Sequence, residues 1–154
     1  MRLEARNANV EGKNQVTIRD LVKSSLRMRP SRIIVGEIRD AAAIDLLSAM
    51  NTGHDGSLST GHANSPRDML NRLETLVLMG MDIPLAAVRQ QIASGIDILV
   101  HLGRLRDGSR RALQIDEIVG IENERVSLQT LFQFQEKKGQ KGRVEGVLCA
   151  TGKK

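Results

Sequence analysis

The chain has 154 residues, enough for one domain with its own core by the prior of roughly 100–200 residues per domain. Hydrophobic residues make up 40% and charged residues 27%, a balance too apolar for a disordered chain. The single cysteine, Cys149, excludes an internal disulfide framework and fits a reducing compartment. No run approaches the roughly 18–20 apolar residues of a membrane span, and Met1-Arg2-Leu3-Glu4 opens no signal peptide, so a soluble cytoplasmic chain is expected. Trp and Tyr are absent and the only aromatics are Phe132 and Phe134, which weighs against sequence-tolerant stacking on single-stranded nucleic acid. Of the net charge of +5, four charges belong to the stretch from Gln135 onward, with six basic residues against two acidic ones. A solvated tail therefore explains the excess better than a folded polyanion site.

Taken in chain order, Arg2–Arg6 reads as a short strand and Asn7–Asn14 as a loop. Thr17 with Asp20 three positions on is a capping pair, opening a helix that Pro30 ends. Arg32-Ile33-Ile34-Val35-Gly36 is a β-branched run that predicts a buried parallel strand. Asp40 caps a second helix through Met50, with Gly53 as its stop. Gly56–Thr60 predicts a short strand. Ser65-Pro66 starts a helix through Met79, and Pro84 opens another through Ala93. Strand then helix, repeated, is the signature of an α/β fold with a parallel sheet. The last third changes character: Ile96–Leu105, Ala112–Ile121 and Val126–Phe134 predict antiparallel strands, the first two joined by an Asp107-Gly108 hairpin turn. They are expected to form the outer edge of the parallel sheet. Val144–Ala150 predicts one more short strand.

Three clusters could carry chemistry. Glu37 follows the buried strand, where a carboxylate enters the crevice that binds ligands in open α/β sheets; a plain surface glutamate beside a capping Asp40 is the alternative. Nucleotide hydrolysis uses such a carboxylate to orient water or help hold Mg²⁺. The run Asn51 to Ser65 packs glycines, hydroxyls, His54 and His62 around one short strand, a set suited to phosphate oxygens; a polar turn with ordinary loop histidines is the alternative. The spacing of His54, Asp55 and His62 matches no zinc pattern, so no direct metal site is expected. Arg27 and Arg29 end the first helix, where cations are favourable in any case, and Arg39 follows Glu37; all three can donate to phosphate. No G-x-x-x-x-G-K-[ST] loop is present: Gly12-Lys13 is followed by Asn14, and Gly152-Lys153 by Lys154.

Together, these residues resemble the C-terminal half of a type II/IV secretion ATPase, nearest to the branch that assembles Flp (tight-adherence) pili. The match is carried by Arg2-Leu3-Glu4 with Asn9-Val10-Glu11-Gly12-Lys13, by Leu26-Arg27-Met28-Arg29-Pro30 running into Arg32–Glu37, by Met50–Leu73, and by Arg104–Arg111. The resemblance implies a partial RecA-like core over residues 1–134, with parallel strands followed by antiparallel edge strands, and a basic tail over 135–154 with a short terminal strand. It implies a homo-oligomeric ring, usually a hexamer, on the cytoplasmic face of the inner membrane, working with a secretion or pilus platform protein and no specific nucleic acid. ATP is the implied substrate, with Mg²⁺. Gly36-Glu37 occupies the Walker B position, Glu37 acting on the attacking water and reaching Mg²⁺ through water. His62 matches the histidine-box residue that senses the γ-phosphate, with Thr60 and His54 in support. Arg27, with Arg29, matches arginines that approach the nucleotide. Gly61 replaces a common valine and is expected to loosen the backbone beside His62. The Walker A loop is expected to precede Met1, which makes the isolated chain an inactive ATPase fragment. The alternatives are a non-catalytic copy that docks on a complete ring and a basic nucleic-acid-binding module.

Overall fold

The computed structural model describes residues 1–137 and 142–152. Four helices come first and pack together: α1 (Ile18–Arg27), α2 (Ala42–Met50), α3 (Pro66–Leu78) and α4 (Leu85–Gly95). Two short strands lie among them, β1 (Ile34–Val35) and β2 (Leu58–Ser59), and four longer strands follow: β3 (Ile98–Arg104), β4 (Arg110–Glu122), β5 (Arg125–Glu136) and β6 (Gly146–Ala150).

Local signals account for the helix ends. At α1, Thr17 accepts from the Asp20 amide while the Asp20 carboxylate accepts from the Thr17 amide, a complete capping box. The helix ends before Pro30, and Arg29 turns left-handed at φ 50° just past the Met28 cap. For α2, the Asp40 carboxylate accepts from the Ala42 amide at 2.8 Å, and Gly53 supplies φ +87° after the helix. Ser65 caps α3 in the same way, with Pro66 in the first turn. The expected strand at Arg2–Arg6 does not form; only a single antiparallel bridge joins Arg6 to Val16. Its alternate apolar positions, Met1, Leu3 and Ala5, stay exposed, so further pairing would bury little.

β1 and β2 pair in parallel, Ile34 opposite Leu58 and Val35 opposite Ser59. β3-β4-β5-β6 run antiparallel in sequence order. The expectation of parallel strands followed by antiparallel ones therefore holds. The antiparallel strands, however, close among themselves as a second sheet instead of extending the first. Helices join the two sheets, above all α4, which packs on β4 and β5. The chain after Phe134 continues β5 to Glu136 and returns as β6, paired with β5 from Phe132 to Glu136. Lys138, Lys141, Lys153 and Lys154, four of the basic residues expected in the tail, lie outside the described residues.

The core is aliphatic. Leu46, Leu47 and Ala49 of α2 meet Leu70, Leu73 and Val77 of α3 and Val88 and Ile92 of α4; Val35, Ile38, Ile118 and Val126 close the cluster. Two guanidinium groups fasten the helices to the β4–β5 hairpin. Arg67 of α3 donates to the Val126 carbonyl at 2.5 Å, and Arg89 of α4 donates to the Glu124 carbonyl while pairing with Glu74 at 2.8 Å. Asp116 is fully buried on β4, and its carboxylate accepts from the Gln114 amide at 2.8 and 2.9 Å and from the Thr130 hydroxyl at 2.7 Å. These bonds give both carboxyl oxygens a hydrogen-bond partner.

Candidate functional site

Parallel pairing of β1 and β2 puts the C-terminal tips of both strands side by side, and each tip delivers one functional group. After Val35 come Gly36 and Glu37; after Ser59 come Thr60, Gly61 and His62. The Thr60 hydroxyl donates to the Gly36 carbonyl at 2.5 Å, and the Ile38 amide donates to the Thr60 carbonyl at 2.9 Å. These two bonds continue the register past the strands and hold both turns together. As a result, His62 Nε2 lies 3.4 Å from Glu37 Oε1, and Arg39 Nη1 lies 4.0 Å from Glu37 Oε2. The Glu37 side chain is 33% exposed and that of His62 is 82% exposed. Such an open pair contributes little to stability.

Gly36 adds a second clue. A Cβ at this position would meet nothing within 4 Å. Its backbone also stays out of the left-handed region, so nothing in this chain requires glycine there. Gly61 is used differently. The Met69 side chain fills the space of its Cβ, with Cε 2.6 Å from that position, and Gly61 also has an ordinary φ. Glycine at this position leaves the space that the Met69 side chain occupies.

His54 stands apart from the pair. Its Nδ1 donates to the Pro30 carbonyl at 2.8 Å, while the Ser57 hydroxyl donates to the His54 carbonyl at 2.7 Å and accepts from the Ile33 amide at 3.0 Å. These bonds tie the end of the α1–β1 connection to the turn before β2. The support expected of His54 takes, in this structure, the form of a brace to the Pro30 carbonyl. Arg27 and Arg29 are exposed and make no side-chain hydrogen bond or ion pair among the described residues. The structure brings Glu37, His62, Arg39, Thr60 and Gly36 together and leaves these two arginines outside that set.

Beyond His62 an open groove of about 510 Å³ runs along the polar face of α3, bordered by Asn64, Asp68, Asn71 and Arg72. Glu37 does not line it, so the imidazole is the group shared by the pair and the groove. Sequence reading held Asn64 only as a member of the run Asn51 to Ser65 and gave Arg72 no role. The available signal was the i, i+3, i+4 spacing of Asp68, Asn71 and Arg72, which places them on one helix face directly after the cap. Among the described residues, no three His, Cys, Asp or Glu side chains cluster as metal ligands.

The family model for type II/IV secretion system proteins matches residues 2–148. The chain belongs to that family. Among curated members, a putative conjugal transfer protein of Mycobacterium tuberculosis, Rv3659c, is 48% identical over 115 residues, covering 75% of this chain and 32% of its own. The conjugal transfer protein TrbB of Rhizobium radiobacter is 38% identical over 75% of this chain and 35% of its own. The chain thus spans about a third of the length of these family members. Among solved structures, the VirB11 ATPase of the Brucella suis type IV secretion system, in complex with sulphate, superposes with a TM-score of 0.61 at 32% identity, over 65% of this chain and 31% of that one. The partial α/β fold of this secretion family is therefore the fold seen here. No helix among the described residues is long and apolar enough to cross a membrane.

Proposed function

We propose that this chain carries the water-activating and phosphate-sensing half of an ATP-hydrolysing site in a secretion or filament-assembly motor. The observation that supports it best is the 3.4 Å approach of His62 Nε2 to Glu37 Oε1 at the tips of two paired parallel strands. Glu37 accepts a hydrogen bond from the attacking water and aligns it, and His62 donates from Nε2 to a γ-phosphate oxygen. The open space over Gly36 admits the phosphates close to the backbone. Arg39 beside Glu37 supplies a further donor. Arg27 and Arg29, without an ion pair among the described residues, would reach nucleotide held by a neighbouring copy.

Mg²⁺ arrives with ATP as part of the substrate. A lone carboxylate such as Glu37 suits its outer hydration shell, because Mg²⁺ keeps several waters and takes its direct ligands largely from phosphate. The loop that cradles the β- and γ-phosphates is no part of residues 1–154, so the site is completed by another portion of a longer polypeptide or by another chain. A homo-oligomeric ring, hexameric as the family resemblance implies, working against an inner-membrane platform protein, is the proposed setting. Assignment to the Flp pilus branch belongs to the same proposal and rests on the four sequence segments that carry the resemblance, among them Met50–Leu73.

The test is hydrolysis and binding measured side by side. The chain alone should show negligible turnover, and the chain joined to the phosphate-loop portion of a family member should hydrolyse ATP. In that joined protein, Glu37→Gln should keep ATP binding and stop hydrolysis. Undiminished hydrolysis by the Glu37→Gln protein contradicts the role of Glu37.

A further inference from the structure

Apart from His62, the groove along α3 is lined by residues that the proposed hydrolysis does not use. Helical spacing gives it its shape. Positions 68, 71, 72 and 75 recur at intervals of three and four, so their side chains form one stripe. The helix rises about 10 Å from residue 68 to residue 75. At about 510 Å³ the groove has room for a small ion with its hydration, since a water takes about 30 Å³ in the liquid.

The donors along this stripe are uncommitted. The side chains of Asn64, Asn71 and Arg72 make no hydrogen bond or ion pair among the described residues. For Arg72 that has a specific cause, because Asp68 stands four positions before it, the spacing at which acid and base pair on a helix. Asp68 is engaged at the helix cap instead: its Oδ2 accepts from the Ser65 hydroxyl at 2.8 Å, and its amide donates to Ser65 Oγ at 3.1 Å. The next acid on α3, Glu74, is paired with Arg89 at 2.8 Å. The Arg72 guanidinium therefore lines the groove with no carboxylate bound to it. A second groove, between α2 and α4, is lined by Ser, Asn, Thr, Ala and Gln alone and holds no cation. The α3 groove differs from it in having arginine and histidine together.

We propose that the α3 groove is a transit site for inorganic phosphate, passing the product of hydrolysis from His62 to Asn64 and Arg72 on its way to solvent. His62 serves both places: its Nε2 is 3.4 Å from Glu37 Oε1, and its side chain lines the groove. A phosphate leaving the strand tips thus keeps one donor while it gains the next, and no hydrogen bond is lost before another forms. Arginine suits the far station, because its fork of N–H groups matches phosphate oxygens. Asp68 keeps the site weak. Its charge beside the stripe opposes a long stay by an anion, as turnover requires of a product site. Phosphate as the ligand rests on the hydrolysis proposed above; the site itself rests on the groove's own donors.

Two measurements test it. In the first, inorganic phosphate is titrated into the chain alone at constant ionic strength, with chloride as the reference, and followed by NMR. The side-chain amides of Asn64 and Asn71 and the imidazole of His62 should shift together and saturate. Arg72→Ala should weaken that binding about tenfold or more, the effect of removing a hydrogen bond to a charged group. Arg72→Lys should retain part of it, and Arg111→Ala, on the other sheet, should leave it unchanged. Alanine suits an exposed helical position, so Arg72→Ala should unfold at the temperature of the parent. In the second, the chain joined to a phosphate-loop portion is given ATP, and free phosphate is read with a fluorescent sensor. In Arg72→Ala the appearance of free phosphate should lag behind single-turnover cleavage by more than in the parent. Phosphate shifts that survive Arg72→Ala, equal weakening by Arg111→Ala, or an unchanged lag would overturn the proposal. Undiminished hydrolysis by Glu37→Gln overturns the catalytic reading instead, whereas the titration of the chain alone decides the groove whatever Glu37 does.

Discussion

Asp107 shows how one side chain sets a tertiary connection. The Ser109 hydroxyl, the Val144 amide and the Ser109 amide all donate to it and hold its pKa down at about 2, from an ordinary 3.8. A carboxylate whose folded pKa is depressed contributes stability that is complete above its unfolded value and is lost as pH falls through the folded one. Stability from this contact should thus decline between about pH 4 and pH 2. Asp20, lowered mainly by the Thr17 hydroxyl, declines in the same direction. Subtracting an Asp107→Asn variant from the parent protein isolates the first effect. Thermal unfolding followed over that range should show the parent losing its advantage over Asp107→Asn; a constant gap would contradict the assignment.

Two other residues carry predictions of the same scale. His54→Ala removes the bond to the Pro30 carbonyl and should cost about 1 kcal/mol in denaturant unfolding. Gly61→Val should cost at most about 1 kcal/mol, because the end of the flexible Met69 side chain can swing aside. Pairing Gly61→Val with Met69→Ala should recover part of that loss, and strictly additive costs would show that Met69 is not the obstacle.

At the scale of elements, α2 is the packing centre, with Leu46 and Leu47 each 1% exposed between α1, α3 and α4. Leu47→Ala should cost about 2–5 kcal/mol. Most element types and ends were legible because their signals are local. Thr17 with Asp20, Ser65-Pro66, Gly53 and Asp107-Gly108 each act within a few residues of themselves. The tips carrying Glu37 and His62 were legible for the same reason, as a polar group following a β-branched run or a glycine-rich turn. The separation into two sheets was not legible, since hydropathy alternation reports which face a strand buries and says nothing about its hydrogen-bonded neighbour. Nor was the bracing role of His54, which depends on a carbonyl 24 residues away. Arg67 and Arg89 likewise act on backbone carbonyls that carry no sequence signature.

For the whole molecule, the net charge gains meaning only after folding. From sequence the basic residues form a tail; in three dimensions Lys137 and Arg143 join the arginines of the β3–β4 hairpin at one end of a sheet. The candidate catalytic tips belong to the first, parallel pair of strands, and the basic end belongs to the second sheet. Helices α3 and α4 connect them, through Arg67 to Val126 and Arg89 to Glu124.

The central claim is that Glu37 and His62 face the terminal phosphate of ATP together. The direct measurement is a crystal structure of the chain joined to a family phosphate-loop portion, with Mg²⁺ and a non-hydrolysable ATP analogue bound. The account predicts His62 Nε2 within hydrogen-bond distance of a γ-phosphate oxygen, and a water held between Glu37 and the γ-phosphorus. A bound analogue whose γ-phosphate lies out of reach of both side chains would contradict it.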